Sequence, residues 1–165
     1  MLITLTGFMG SGKTTVGRIL ADALGCPFLD LDELIVKKAG KPIPDIFAQD
    51  GEPAFRQLEA RLLRQTVEKY GEATAVLSLG GGAILAPASA TLVHEKTVCI
   101  YLRATLDTLM DRLAGESGGR PLADDAMAER LAEREPLYEK TAHVTIDTDG
   151  LSPEEVSDEI IISAL

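Results

Sequence analysis

The run GFMGSGKT, residues 7–14, fits the pattern G-x-x-x-x-G-K-[ST] and directly follows the apolar segment LITLT. Strand, glycine turn and helix in that order make a cradle for phosphate. Gly7, Gly10 and Gly12 let the backbone take positive φ angles and curl, so that successive N–H groups point inward at an anion. A helix opening at about Lys13 adds its dipole and its free N–H groups. The Lys13 ammonium can then reach the β- and γ-phosphates of a nucleotide, and the Thr14 hydroxyl can ligate Mg²⁺.

Two further segments carry chemistry. Asp30 and Asp32 end the apolar run PFLDLD, and on an extended backbone two residues of separation put both carboxylates on one side. A phosphoryl-transfer enzyme needs an acid near Mg²⁺ and a group that orients the attacking oxygen, and one strand end can supply both. Asp also caps helices, so one of the pair is open to that role at the helix expected from Leu31. Gly80, Gly81 and Gly82 end the run AVLSL. Three consecutive glycines suit a place where a ligand touches the main chain, although a tight turn would use one or two of them. No Asp closes AVLSL, so the metal carboxylate must come from elsewhere, and Asp30 is the candidate.

These groups need elements to hold them. Short apolar runs at 2–6, 27–32, 75–79, 97–102 and 142–147 read as strands, and those that are nearly unbroken suit strands covered on both faces. Helical patterns fall at 14–24, 31–39, 55–70, 105–113, 124–138 and 153–165. Repeated β-then-α order implies right-handed crossovers, a parallel sheet and a three-layer α/β/α domain, in which ligands bind beyond the carboxyl ends of the strands. The 165 residues, 45% hydrophobic, suffice for one core and one domain over 1–165. The glycine-rich stretch GESGGRP, 115–121, reads as flexible.

The net charge of −10 argues against binding to nucleic-acid backbones, while a few arginines can still make a positive pocket. Cys26 and Cys99 lack C-x-x-C spacing and are expected as buried free thiols. His94 and His143 have no partners at metal or triad spacing, which favours surface or strand-edge roles. The phosphate motif starts too near Met1 for a signal peptide, and no apolar stretch is long enough to cross a bilayer, so a cytoplasmic protein away from membranes is expected.

GFMGSGKTT, FLDLDELI, GKPIPDIFAQDGEPAFRQLE, SLGGGA, GGRPL and EREPLY stand in the order and approximate spacing of shikimate kinase, and the chain resembles that family over nearly its whole length. The resemblance implies a nucleoside-monophosphate-kinase-like P-loop fold with a five-stranded parallel sheet in the order 2-3-1-4-5. It implies transfer of the γ-phosphoryl group of ATP, with Mg²⁺, to the 3-hydroxyl of shikimate, by an enzyme expected here as a monomer.

Residue by residue, Asp32 resembles the acid that holds the reacting hydroxyl, and Asp30 the one that reaches Mg²⁺ through water beside Thr14. Arg56 and Arg134 resemble the arginines that bind the shikimate carboxylate. Gly81 and Gly82 resemble the backbone contact to that substrate, in a helical binding region of about 31–62. Gly10, Ser11, Gly12, Lys13, Thr14 and Thr15 hold the nucleotide. Arg120 resembles the arginine of a lid, about 112–123, which closes over the phosphates. Glu59, three residues past Arg56, is placed to brace it. The loop after the fifth strand reads DTDGLSP and offers no arginine to adenine, so Arg112 is the candidate for that contact. A gluconate or nucleoside-monophosphate kinase, or a nucleotide-dependent switch, is the competing expectation. The glycine triplet and the Arg56 block speak against the kinases, and a switch needs no pair of carboxylate-binding arginines.

Overall fold

The computed structural model describes residues 1–117 and 125–165. The elements run β1 (Leu2–Thr6), α1 (Lys13–Leu24), β2 (Phe28–Asp30), α2 (Leu31–Ala39), α3 (Ile43–Asp50), α4 (Glu52–Lys69) and β3 (Ala75–Ser78). They continue with α5 (Pro87–Lys96), β4 (Val98–Arg103), α6 (Leu106–Ser117), α7 (Asp125–Thr141), β5 (Val144–Asp147) and α8 (Pro153–Ala164).

The strands form one parallel sheet in the order β2-β3-β1-β4-β5. Every residue of β1 and of β3 is buried, as strands covered on both faces require. Alternate side chains feed two cores. Ile3, Leu5, Val76, Ile100 and Leu102 pack with Val16 and Leu20 of α1 and Val156 and Ile160 of α8. Leu2, Leu77 and Tyr101 face the other way, onto Ile35 of α2, Leu63 of α4, Val93 of α5 and Tyr138 of α7. The result is helix, sheet, helix. The parallel register brings the carboxyl ends of the strands to one edge, where Asp30 ends β2 and Gly7 and Gly80 lie just past β1 and β3.

Several boundaries differ from the sequence-based expectation for identifiable reasons. β2 ends at Asp30, not Asp32, because Asp30 caps α2: its Oδ1 accepts from the amides of Asp32 (2.9 Å) and Glu33 (3.4 Å). Asp32 therefore stands in the first helical turn, and the two carboxylates do not share a strand face. α3 and α5 were not expected. α3 carries an apolar stripe of Ile43, Ile46 and Phe47 but spans only eight residues between Pro42 and Gly51, too short for the period to stand out, and α5 buries only Ser89 and Val93 and has no marked stripe. α6 runs on through Gly115 to Ser117, beyond the expected end at Leu113, so the first part of the stretch expected as flexible is helix. Its remainder, 118–121, and the motif GGRPL lie outside the described residues.

Candidate active site

The loop between β1 and α1 is built by glycine. Gly10 and Gly12 have φ of 83° and 91°, which favour glycine, and Gly12 is the N-cap of α1. A Cβ on Gly7 would stand 2.7 Å from the Leu102 carbonyl and 2.8 Å from Ser11 Oγ. Lys13 opens the helix and folds back over the loop, Nζ donating to the carbonyls of Gly7 (2.7 Å) and Phe8 (3.0 Å). The Thr14 hydroxyl donates to Asp30 Oδ2 at 3.1 Å. Asp30 thus caps α2 with Oδ1, the alternative role its sequence left open, and keeps Oδ2 on the Thr14 hydroxyl.

Two clefts meet at this loop. One, about 300 Å³, lies between Gly10, Thr15, Arg112, Thr148 and Leu151. Arg112 is fixed there, donating to the Ser11 carbonyl (3.3 Å) and to Thr148 through both its hydroxyl and its carbonyl (3.0 Å each). Buried Thr148, for which the sequence offered no signal beyond its place in the DTDGLSP loop, ties α6 to the end of β5. The other cleft, about 190 Å³, runs from Gly12, Lys13 and Thr14 past Asp30 to Asp32 and Gly81. A larger hollow of about 410 Å³ between α5 and α7, against Leu85, His94 and Lys140, contains none of the expected site residues.

At the far end of the smaller cleft, charged side chains from three helices gather on the glycine triplet. Arg56 donates to Glu59 Oε1 at 2.9 Å, and the Glu59 side chain is only 4% exposed, so the brace expected from helix spacing is a buried one. Glu52 adds a second, looser contact to Arg56 at 3.7 Å. Arg134 lies over the Phe8 ring, 5.8 Å from its centroid, and beside Gly81. Tyr138, fully buried one turn further along α7, donates its hydroxyl to the Gly81 carbonyl. An i,i+4 relation to Arg134 was the signal that would have found Tyr138.

The triplet has a second explanation besides ligand contact. A Cβ on Gly80 would stand 2.9 Å from Asp32 Oδ1, and one on Gly82 would stand 2.6 Å from both terminal nitrogens of Arg56. Glycine at these positions makes room for the protein's own carboxylate and guanidinium.

Burial pushes the Asp32 carboxyl above the usual carboxylate range, and Asp30 repels it further, while Lys13 and Arg56 pull it back. Glu59 is also raised, chiefly by burial, against the hydrogen bond and charge of Arg56. The site therefore holds a carboxylate more basic than an exposed one beside the phosphate loop. The donors that could hold Mg²⁺ are hard oxygens, the Thr14 hydroxyl and the Asp30 carboxylate, which is the set this ion takes together with phosphate and water. Among the described residues no group of three His, Cys, Asp or Glu side chains offers a metal cage.

His94 and His143, expected in surface or strand-edge roles, stack on each other at 4.5 Å between centroids. His143 Nδ1 accepts from the Cys99 amide at 3.0 Å, which occupies it structurally. Cys99 is buried, its thiol pushed up to about 12, and Cys26 is partly exposed. Arg120 lies outside the described residues. No described helix is long and apolar enough to cross a membrane.

A glycine loop with an internal lysine, a hydroxyl bonded to a carboxylate, and a polar cleft running on from them define a P-loop phosphotransferase of small molecules. The family model described as shikimate kinase matches residues 9–164. A shikimate kinase of Enterococcus faecalis is 42% identical over 96% of this chain and 95% of its own. One of Salinibacter ruber is 44% identical over 90% of this chain and 78% of its own. The solved shikimate kinase of Acinetobacter baumannii in complex with shikimate superposes with a TM-score of 0.84 at 34% identity, over 97% of this chain and 90% of that one. The chain belongs to the shikimate kinase family.

Proposed function

We propose that the chain phosphorylates the 3-hydroxyl of shikimate with ATP, and that its residues divide the work as follows. The amides of the loop, with Gly10, Ser11, Gly12 and Thr15, cradle the phosphates, and Lys13 leaves its carbonyl partners to neutralise charge on the transferring group. Thr14 and Asp30 hold Mg²⁺, which when bound neutralises charge across the β- and γ-phosphates. Arg112 flanks the adenine from its fixed position. Arg120, which the resemblance makes the arginine of a lid over about 112–123, lies outside the described residues, and residues 112–117 of that range belong to α6.

Arg56 and Arg134 grip the acceptor carboxylate, with the planar guanidinium supplying paired donors, and Gly81 and Gly82 bear on the ring. Asp32 orients the 3-hydroxyl. As the new O–P bond forms and the bond to the ADP oxygen breaks, the hydroxyl proton passes to the Asp32 carboxylate, whose raised pKa suits a base. The observation that carries this reading is the meeting of Asp32, Arg56, Glu59 and Arg134 around Gly80, Gly81 and Gly82, across a cleft from Lys13. The unit is assigned as one domain over 1–165, acting as a cytoplasmic monomer, with an acceptor-binding region at about 31–62. The charge of −10 supports the absence of nucleic acid among its partners.

The test is ADP release from ATP with shikimate, quinate, gluconate or AMP as acceptor. Shikimate should be preferred by a wide margin, and Arg56→Ala should raise its KM strongly while the Kd of ATP hardly moves. Preference for gluconate or AMP would overturn the reading.

A further inference from the structure

The glycine triplet has three carbonyls, and each is held by a protein donor. Two of the donors are local, the amide of Ala83 to Gly80 (3.1 Å) and that of Leu85 to Gly82 (3.2 Å). The third, the Tyr138 hydroxyl on Gly81, comes from α7, 57 residues away along the chain. The Arg134 guanidinium packs against the same glycine: a Cβ on Gly81 would stand 3.5 Å from Arg134 Nη1 and 3.7 Å from the Tyr138 oxygen. Guanidinium and phenol, one helical turn apart on α7, thus bear on Gly81 together, and the phenolic hydrogen is committed to its carbonyl.

We infer that Tyr138 is a positioning residue for the acceptor, a relay that fixes the Arg134 guanidinium relative to the Gly80–Gly82 turn. This rests on the assignment of Arg134 to the acceptor carboxylate made above. An arginine side chain has many rotamers, and a bidentate grip on a carboxylate requires one of them. Phe8 lies under the guanidinium and limits its tilt, and the phenol stands beside it on Gly81 and limits its sideways movement. Because the phenol also holds Gly81, a shift of α7 moves the arginine and the turn together, and the spacing between the two contacts on the acceptor is kept. Tyr138 is fully buried against Tyr101, with ring centroids 5.1 Å apart, so its ring has no freedom to swing away. Burial pushes its phenol up, and the group stays a donor throughout the working range of pH.

Tyr138→Phe removes the hydroxyl and keeps the ring packing. Steady-state kinetics of wild type, Tyr138→Phe, Arg134→Ala and the double variant test the inference, with ATP Kd and thermal unfolding measured on each. Tyr138→Phe should raise KM for shikimate by up to about tenfold, the upper scale of one buried hydrogen bond, with kcat within about threefold and ATP Kd within about twofold. In the Arg134→Ala background the same change should add less than about twofold, because the residue it acts through is gone. If Arg134→Ala raises the shikimate KM and Tyr138→Phe does not, the positioning role is overturned and the carboxylate assignment stands. If Arg134→Ala leaves that KM unchanged, the carboxylate assignment itself fails. Equal loss for ATP and shikimate, or full additivity in the double variant, would make Tyr138 a packing residue only and overturn the inference.

Discussion

The two halves of the proposed active site, one for the nucleotide and one for the acceptor, are built in opposite ways. The nucleotide half is local: eight contiguous residues, 7–14, form the loop, and its lysine is satisfied by the loop's own carbonyls. The acceptor half draws Asp32 from α2, Arg56 and Glu59 from α4, the glycines from the end of β3, and Arg134 and Tyr138 from α7. Its charges are packed against backbone rather than spread through solvent, and its carboxyls are raised by burial. A local cradle can be read and tolerated on many folds, whereas the acceptor pocket exists only once the sheet has brought four segments to one edge. Binding of phosphate is thus general, and choice of acceptor depends on long-range packing.

The largest expected effect lies where the halves meet. Asp32→Asn should lower kcat by about 10³, within the range of removing a general base. It should also raise the unfolding midpoint at neutral pH. The folded-state pKa of Asp32 lies above its ordinary value, so ionisation is disfavoured by the fold. That destabilisation is complete above the folded pKa and vanishes below the ordinary carboxylate range. The stability gain of the variant should therefore shrink as pH falls, and the acid limb of wild-type kcat should sit above the pH of a free carboxylate. A variant less stable than wild type at pH 7 would contradict the strained-carboxylate account.

Next comes the local half. Lys13→Ala should lower kcat by about 10² or more, about 2.7 kcal/mol, with the fold intact, since Lys13 stabilises charge that develops in transfer. Near-normal turnover would remove the phosphate-loop assignment. Gly82→Ala attacks the other half. The added methyl would meet the Arg56 guanidinium at 2.6 Å, so the arginine must move, and shikimate KM should rise by about tenfold while ATP Kd stays within about twofold. Equal weakening of both ligands would mean that the halves are not separable in the way their construction suggests.

Legibility in the sequence follows the same division. The loop was readable as a contiguous motif, and the strand order and the arginines of AFRQLE and EREPLY came from the resemblance that six such motifs carry together. What escaped was non-local or weakly patterned. The reason for glycine at 80 and 82 lies in side chains 48 and 26 residues away, as the positions of Asp32 and Arg56 show. The Tyr138 relay looks in sequence like one more apolar position of α7, and Thr148 like one more loop residue. α3 is too short for its stripe to establish a period, and α5 has no marked stripe at all, so the hydrophobic pattern had little to report. The error at Asp32 came from extending a strand through a residue that a helix cap had already claimed.

Asp30 allows the finest separation, because its two oxygens belong to the two roles. Oδ1 caps α2 through the amides of Asp32 and Glu33, and Oδ2 accepts from Thr14. Asn caps a helix about as well as Asp, so Asp30→Asn should change stability by no more than about 0.5 kcal/mol. It removes the negative charge beside Thr14, so the Mg²⁺ concentration giving half-maximal rate should rise about threefold to tenfold, in line with loss of an outer ligand. Asp30→Ala removes both functions and should lose about 1 kcal/mol of stability as well. Asp32 adds a cross-check, since Asp30 repels it: in Asp30→Asn the acid limb of kcat should shift to lower pH. Titration of Mg²⁺ with thermal unfolding on both variants decides the matter. If Asp30→Asn is as unstable as Asp30→Ala and its Mg²⁺ requirement is unchanged, Asp30 belongs to the helix alone and the nucleotide half must find its acid elsewhere.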